Sequence, residues 1–275
     1  MKLHIVRPMA RLVKHPRLVK HPGLDEVLAF CAEDPIERVF LEDVARLHFG
    51  RLVALRDGQR LTALCYVGTN VVPSGRGTEA FARIALAARP RMIVGEEEAV
   101  GDLWEAIGGG LPVPRADRPG QPVYVLEDAP PEAGTGLRLA TVDDLPLLVP
   151  ASAEAFLEEV GVDAYARDPA LFTARTRTQI EEGRSWLWEE GGRILFKAEA
   201  SAWTPHAVQL QQVWVDPGLR GRGFGKRGLA DLCAFLLDRV PAVCLFVRPE
   251  NAPAIALYET IGMRRTITYR SLIFG

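Results

Sequence analysis

Val213-Trp-Val-Asp-Pro-Gly-Leu-Arg-Gly-Arg-Gly-Phe-Gly-Lys226 is the stretch on which the reading of this chain turns. An alternating strand ends at Pro217, four glycines fall within residues 218–225, and a helix is expected over 226–239. Glycine lets successive backbone N–H groups turn to one side without a Cβ clash. Amides so aligned, at a helix N-terminus, form a nest for an anion. Arg220, Arg222, Lys226 and Arg227 add positive charge. Leu229, Leu232, Cys233, Leu236 and Leu237 give the helix a core-facing stripe that holds the loop. The physical reading is a cradle for phosphate or pyrophosphate. It is neither a dinucleotide-binding G-x-G-x-x-G turn nor a P-loop, since Lys226 is followed by Arg227.

Downstream stands Asn251-Ala-Pro-Ala-Ile-Ala-Leu-Tyr258-Glu-Thr-Ile-Gly262-Met263. Arg220-x-x-Gly223-x-Gly225 resembles the acyl-CoA signature of the GNAT N-acetyltransferase superfamily, and the Asn251–Met263 stretch resembles that family's second motif. The resemblance covers residues 137–275 and implies acetyl-CoA as cosubstrate, with no metal. It further implies that backbone groups of Val213 and Val215 hold the pantetheine arm. The amides of Gly221, Arg222, Gly223, Phe224, Gly225 and Lys226 would wrap the pyrophosphate. Asn251 would cap the next helix beside the CoA arm, and the Tyr258 hydroxyl would give a proton to the departing thiolate. On periodicity alone, Ala254, Leu257, Tyr258 and Ile261 share one helix face, which also suits a packed core tyrosine.

An acceptor amine with a pKa near 10.4 is only about 0.04% neutral at pH 7, so a base is needed. The strand entering the loop reads Gln209-Leu-Gln211-Gln212-Val213 and lacks the carboxylate that many family members carry there. Glu199 on the preceding strand is the candidate base. It shares a face with Leu195, Lys197 and Ser201, so a surface pair with Lys197 is the competing reading. Glu158 and Glu159 end the first helix, where the resemblance places the acceptor, and they read more simply as a solvated helix end.

Further out, strands are expected at 137–140, 185–189, 193–201, 207–215, 243–248 and 264–274, with helices at 142–159, 169–182 and 252–261. The fold class is α/β (α+β): a mixed, mostly antiparallel sheet flanked by helices. Residues 127–136, almost without large apolar side chains, mark a linker. Upstream, 24–47 reads as two helices parted at Pro35, and Arg51–Arg56 with Leu61–Val67 as a hairpin through Asp57-Gly58. A helix at 78–88, a strand at 91–94, a helix at 99–107 and a last strand at Val123–Leu126 complete this half. Leu103-Trp104-Glu105-x-Ile107-Gly108 parallels Leu257-Tyr258-Glu259-x-Ile261-Gly262 at a constant offset of 154. From Pro73 to Leu103 there are 30 residues, against 40 from Pro217 to Leu257. The shortfall lies where the cradle belongs, and the Trp104 indole has no hydroxyl proton to give. Residues 23–126 thus read as a degenerate GNAT-like domain, 137–275 as the catalytic one, and the whole chain resembles a tandem member of the family.

The start repeats itself as Arg11-Leu-Val-Lys-His-Pro16 and Arg17-Leu-Val-Lys-His-Pro22. It is read as a basic, solvated, flexible tail over 1–22. That tail carries six Lys/Arg and no acid, leaving 27 basic against 35 acidic residues in the body. So acidic a body disfavours a nucleic-acid partner. Four scattered cysteines fit reduced thiols and a cytoplasmic location, and no apolar run reaches a membrane span. The expected function is N-acyl transfer, most simply N-acetyl transfer, from acetyl-CoA to an unidentified amine acceptor, by direct attack. The rival readings are a non-catalytic acyl-CoA-sensing protein and an aminoacyl-tRNA-dependent transferase. Acceptor, acyl preference and oligomeric state are not legible at this level.

Overall fold

The computed structural model of the chain describes residues 16–274. Strand β1 (Arg17–Val19) and helices α1 (Leu24–Cys31) and α2 (Val39–Arg46) lead into strands β2 (Arg51–Asp57), β3 (Arg60–Val67) and β4 (Asn70–Gly75). A 3-10 turn at Thr78–Phe81 runs into α3 (Ala82–Ala88), then β5 (Met92–Glu96), α4 (Glu97–Ile107) and β6 (Ala116–Leu126). The second half repeats the plan with β7 (Arg138–Leu139), α5 (Leu145–Val160), α6 (Ala164–Arg167), α7 (Pro169–Glu181), β8 (Ser185–Glu190), β9 (Arg193–Trp203) and β10 (Val208–Val215). It closes with α8 (Phe224–Leu237), β11 (Val243–Phe246), α9 (Ala252–Thr260) and β12 (Arg264–Ile273). The fold is α/β, as the sequence led one to expect.

All strands join one sheet in the order β1-β2-β3-β4-β5-β12-β6-β11-β10-β9-β8-β7. Pairs are antiparallel except β4 with β5 and β10 with β11. The centre of this order is where the two halves meet. Strand β12 pairs with β5 of the first half through Leu272↔Ile93, and β6 pairs with β11 of the second through Tyr124↔Leu245. The two exchanged strands pair with each other along most of their length. Leu272 is fully buried in the core of the first half, while Tyr124 and Leu126 belong to that of the second. Residues 127–136 divide the sequence without dividing the sheet, and they are docked: Thr135 donates to Asp231 of α8 at 2.6 Å.

Helices cover both faces. On one face α3 and α4 pack over the first half, and α8 and α9 over the second. On the other, α1 and α2 cover β2 and β3, and α5 and α7 cover β8 to β10. Val39 of α2 reaches across to Val123, Val125, Ala207 and Cys244. Beside it, Arg184 grips Asp43 with two bonds of 2.8 and 3.0 Å, and His206 contacts the buried Glu42 at 3.0 Å. A buried carboxylate left unpaired would be strongly destabilising, so these partners fix how α2 sits on the second half.

One expectation is corrected. Residues 17–19 of the second hexad are not a flexible tail: Arg17, Leu18 and Val19 pair with Arg56, Leu55 and Ala54 of β2. Pro16 and Pro22 bar a helix and favour extended backbone before them, which is what an edge strand uses, and Val19 packs on the α1–α2 core. Residues 11–15 of the first hexad lie outside the described residues. The four cysteines are free and buried. Among the described residues no helix is long and apolar enough to cross a membrane.

Exchanged strands couple the halves. Leu272→Ala should cost about 2–5 kcal/mol, as buried leucine truncations do. Urea unfolding of parent and variant, followed by tryptophan fluorescence and far-UV dichroism, should give one coincident transition. Two transitions, with only one of them moved, would contradict the coupling.

Candidate active site

Strand β10 pairs with β11 only through Val208↔Val243 and Gln209↔Cys244, yet it continues to Val215 along β9. Beyond Gln209 the two strands therefore diverge into a wedge. A bulge between Gln211 and Trp214, with Gln212 at φ +50°, re-aims this part of β10. The backbone of Val213 and Val215 lies along the wedge. Asp216 accepts from Gly218 N–H at 2.8 Å and from Arg193, and so sets the turn out of the strand.

The loop then enters α8. Gly221 and Gly223 hold φ of +73° and +83°, and a Cβ on either would meet no atom within 4 Å. They are required for their left-handed backbone, and space lies in front of them. Gly223 is the N-cap and no side chain caps it. The first loop-to-helix bond is Arg227 N–H to Gly223 C=O, at 3.1 Å. The amides of residues 221–226 thus have no acceptor among the described residues. Six consecutive donors at a helix start fit an anion such as a pyrophosphate. Gly225 serves differently: its Cβ would lie 3.2 Å from Val215 and 3.3 Å from Leu257, so its bareness lets α8, β10 and α9 converge. Arg220 donates to Val215 C=O at 3.1 Å and forks onto Glu158 at 2.8 and 2.9 Å, tying the loop to the end of α5. Lys226 is exposed at the start of the helix, and Arg222 lies 6.0 Å from the Phe224 ring.

On the far side of the wedge, Asn251 caps α9 by accepting from Ala254 N–H at 3.3 Å. Tyr258 is buried, its ring 5.8 Å from that of Tyr124. Tyr124 comes from β6 and in turn donates to Glu259 at 3.0 Å. Burial first, and the nearby Glu159 second, push the Tyr258 phenol well up, so it keeps its proton at neutral pH. Glu199 faces α5. Its Oε1 accepts from Lys197 at 2.7 Å and from Ser152 at 3.2 Å, and Lys197 also reaches Gln212 at 3.1 Å. The pairing with Lys197 left open by the sequence is present, but it is buried rather than on the surface. A small pocket beside it is lined by Ser152, Phe172, Arg175, Gln179, Glu199 and Gln212.

Glu159 was read as a solvated helix end or an acceptor-side carboxylate; it is exposed, and the charges of Glu199, Lys197, Arg118 and Arg175 act on it. Leu148, Ser152 and Ala155 form the buried stripe of α5, and Glu159 extends it at i+11, i+7 and i+4. That periodicity is the signal that finds it in the sequence. Glu159 keeps open surface. Desolvation first, and Glu199 second, push its carboxyl up, against the pull of Lys197, Arg118 and Arg175.

The corresponding region of the first half is closed. Beyond the pair Val71↔Ile93, Gly95 runs so near β4 that a Cβ would lie 2.9 Å from Pro73 C=O. The Thr78 hydroxyl ties the 3-10 turn to Ala99 C=O of α4 at 2.7 Å. Glu96 caps α4, putting a carboxylate where the second half has the neutral Asn251. Gly223→Val should impose about 1–2 kcal/mol of backbone strain and misalign the amides. Acetyl-CoA, the ligand implied by the resemblance, should then bind at least about tenfold more weakly by calorimetry. Unchanged affinity in a folded variant would refute the cradle.

Comparisons with known proteins agree with this geometry. Residues 152–263 match the model of the acetyltransferase (GNAT) family, and residues 50–148 match a domain of unknown function, DUF4081. A mycothiol acetyltransferase of Brachybacterium faecium is 31% identical over 178 residues, 58% of this chain and 46% of that protein. The N-alpha-acetyltransferase RimI of Mycobacterium tuberculosis is 39% identical over 61 residues, 22% of this chain and 37% of its own. Each match spans less than half of the relative's length. Among solved structures, a GNAT-family acetyltransferase from Colwellia psychrerythraea superposes with TM-score 0.57 at 11% identity, covering 94% of this chain and 100% of that one. A tandem GNAT protein from the clavulanic acid biosynthesis pathway superposes with TM-score 0.54 at 15% identity, covering 95% and 99%. At such identities these structures speak for the fold. The wedge, the glycine loop and the match over 152–263 converge: that region of the second half matches the GNAT acetyltransferase family.

Proposed function

We propose that the protein transfers an acetyl group from acetyl-CoA to an amine by direct attack within a ternary complex. The observation that carries this reading is the run of six unbonded amides, 221–226, opening onto the wedge between β10 and β11. Acetyl-CoA supplies the acetyl group as a thioester. The amides of 221–226, with Arg222 and Lys226 beside them, hold its pyrophosphate, and the backbone of Val213 and Val215 orients its pantetheine amides. Asn251 keeps the start of α9 in place beside that arm. Tyr258 is the acid: its phenol stays protonated and gives its proton as charge develops on sulfur. Its burial removes competing water and strengthens that interaction. No cysteine lies in either motif, so Glu199 and its neighbours prepare the acceptor rather than an acyl-enzyme.

The matching relatives are a mycothiol acetyltransferase and an N-alpha-acetyltransferase, and the acceptor proposed here is an amine. The polar lining beside Glu199 suits an acceptor with hydrogen-bonding groups around its nitrogen. Within this reading the first half binds no acyl-CoA. It contributes β6, whose Tyr124 backs Tyr258.

Incubation with acetyl-CoA and a panel of an amino sugar, a polyamine, an aminoglycoside, lysine and an Ala-terminated peptide tests the activity. Thiol release should depend on at least one amine. Acetyl-CoA binding without transfer to any of them would favour the sensing reading. Tyr258→Phe should lower kcat by about 10²-fold or more while leaving acetyl-CoA affinity in place. A full-rate variant would return Tyr258 to a packing role.

A further inference from the structure

Resting on the proposed acetyl transfer, we infer that Glu159 is the base that takes the proton of the attacking amine, and that Arg118 and Arg115 of the first half position it. Glu199 is poorly suited to that task. Its carboxylate is buried, neutralised by Lys197 at 2.7 Å and bonded by Ser152 at 3.2 Å. Protonating it would strand Lys197 as an unpaired buried cation. Glu159 has no hydrogen-bonding partner for its carboxylate among the described residues, and it keeps open surface. It stands two turns along the same face of α5 from Ser152. Its neighbour Glu158 is taken by Arg220. The electrostatic partners of Glu159 are Glu199 and Lys197 on β9, Arg118 on β6 and Arg175 on α7, and it acts in turn on Tyr258 of α9. Its charge thus bears on both the acid and the Lys197–Glu199 pair.

The end of α5 is held with unusual care. A helix C-terminus leaves carbonyls without intrahelical donors. Here Arg118 donates to Glu159 C=O at 2.8 Å and Val160 C=O at 3.4 Å, and Arg115 to Val160 C=O at 2.9 Å and Gly161 C=O at 3.0 Å. Arg248, just past β11, takes Glu158 C=O at 3.2 Å. Two of these three guanidiniums come from the first half, Arg118 on β6 and Arg115 just before it. The exchanged strand delivers them to the second half's site. Their charge also complements the negative end of the helix dipole.

In the step itself, Glu159 takes one proton from the acceptor ammonium and frees the lone pair that forms the C–N bond. Tyr258 gives its proton to sulfur as the C–S bond breaks with its electron pair on sulfur. The second nitrogen proton returns to the Tyr258 oxygen, and Glu159 releases its own to solvent. Ammonium and thioester thus yield amide, thiol and one proton.

The test uses the full chain, labelled with 13C at the glutamate carboxyls. One resonance, absent from Glu159→Gln, should titrate above the usual carboxylate range. Glu37, pushed up to about 7 by burial, is assigned separately with Glu37→Gln. Arg118→Met removes a cation that favours the carboxylate, so the Glu159 resonance should titrate higher still; Arg118→Lys should bring it part of the way back. With the amine turned over fastest, Glu159→Gln should lower kcat by about 10²-fold or more and abolish the acidic limb of the pH–rate profile. Acetyl-CoA affinity by calorimetry should stay within about twofold. In Arg118→Met the limb should move to higher pH with the resonance. Glu154→Gln, on the solvent face of α5, should match the parent. A Glu159 that titrates normally, or a Glu159→Gln variant of full rate, would overturn the inference while leaving the cradle and Tyr258 intact. A parent protein that binds no acetyl-CoA would overturn the proposed function, and this inference with it.

Discussion

The pairing of β12 with β5 and of β6 with β11 is the constraint on which this molecule depends. Each half would otherwise expose the edge of an incomplete sheet, with its unpaired backbone donors and acceptors. By crossing over, each last strand fills the other half's gap and carries its apolar side chains there. Leu272 completes the first core and Tyr124 with Leu126 the second. The sheet order reads alike from either side of the β12–β6 pair, so the arrangement is close to a two-fold repetition with exchanged ends.

The two halves differ in the region of the glycine loop. In the second half β10 and β11 part, and the glycine loop leaves its amides without acceptors. In the first, Gly95 crowds Pro73 and Thr78 is tied to α4. On the opposite face, Arg38 lies over Phe30, and Ser74 donates to Glu37 at 2.8 Å, so polar groups there satisfy one another. What the first half gives the second is placement: β6 backs Tyr258, arginines at and before it close the end of α5, and α2 is locked down by Arg184 and His206.

The glycine loop and α9 were legible in the sequence because their chemistry is local. A left-handed N-cap demands Gly223, close convergence demands Gly225, and Asn251 and Tyr258 sit at fixed helical spacing. The hairpin at Asp57-Gly58 was legible for the same reason. Partner choice between strands is not local. Nothing in 116–126 or 264–273 says which half each strand will join; of the former only Val123–Leu126 read as strand, because Pro119, Gly120 and Pro122 break the pattern. The edge strand at Arg17–Val19 was hidden by its charge and prolines, which suit an edge as well as a tail. Glu159 was hidden by its place at a helix end, where a carboxylate usually meets water. Only its register with Leu148, Ser152 and Ala155 set it apart from Glu158. Lys197 and Glu199 were seen as a possible pair, but alternation alone did not reveal that α5 covers them.

The central claim is that a single acyl-CoA site exists, built by the second half and walled by the exchanged strand. Hydrogen–deuterium exchange of the full chain with and without acetyl-CoA tests it most directly. The account predicts slowed exchange at the amides of 221–226 and along 211–215, with 73–82 of the first half unchanged. Protection at 73–82, or none at 221–226 under saturating acetyl-CoA, would contradict it.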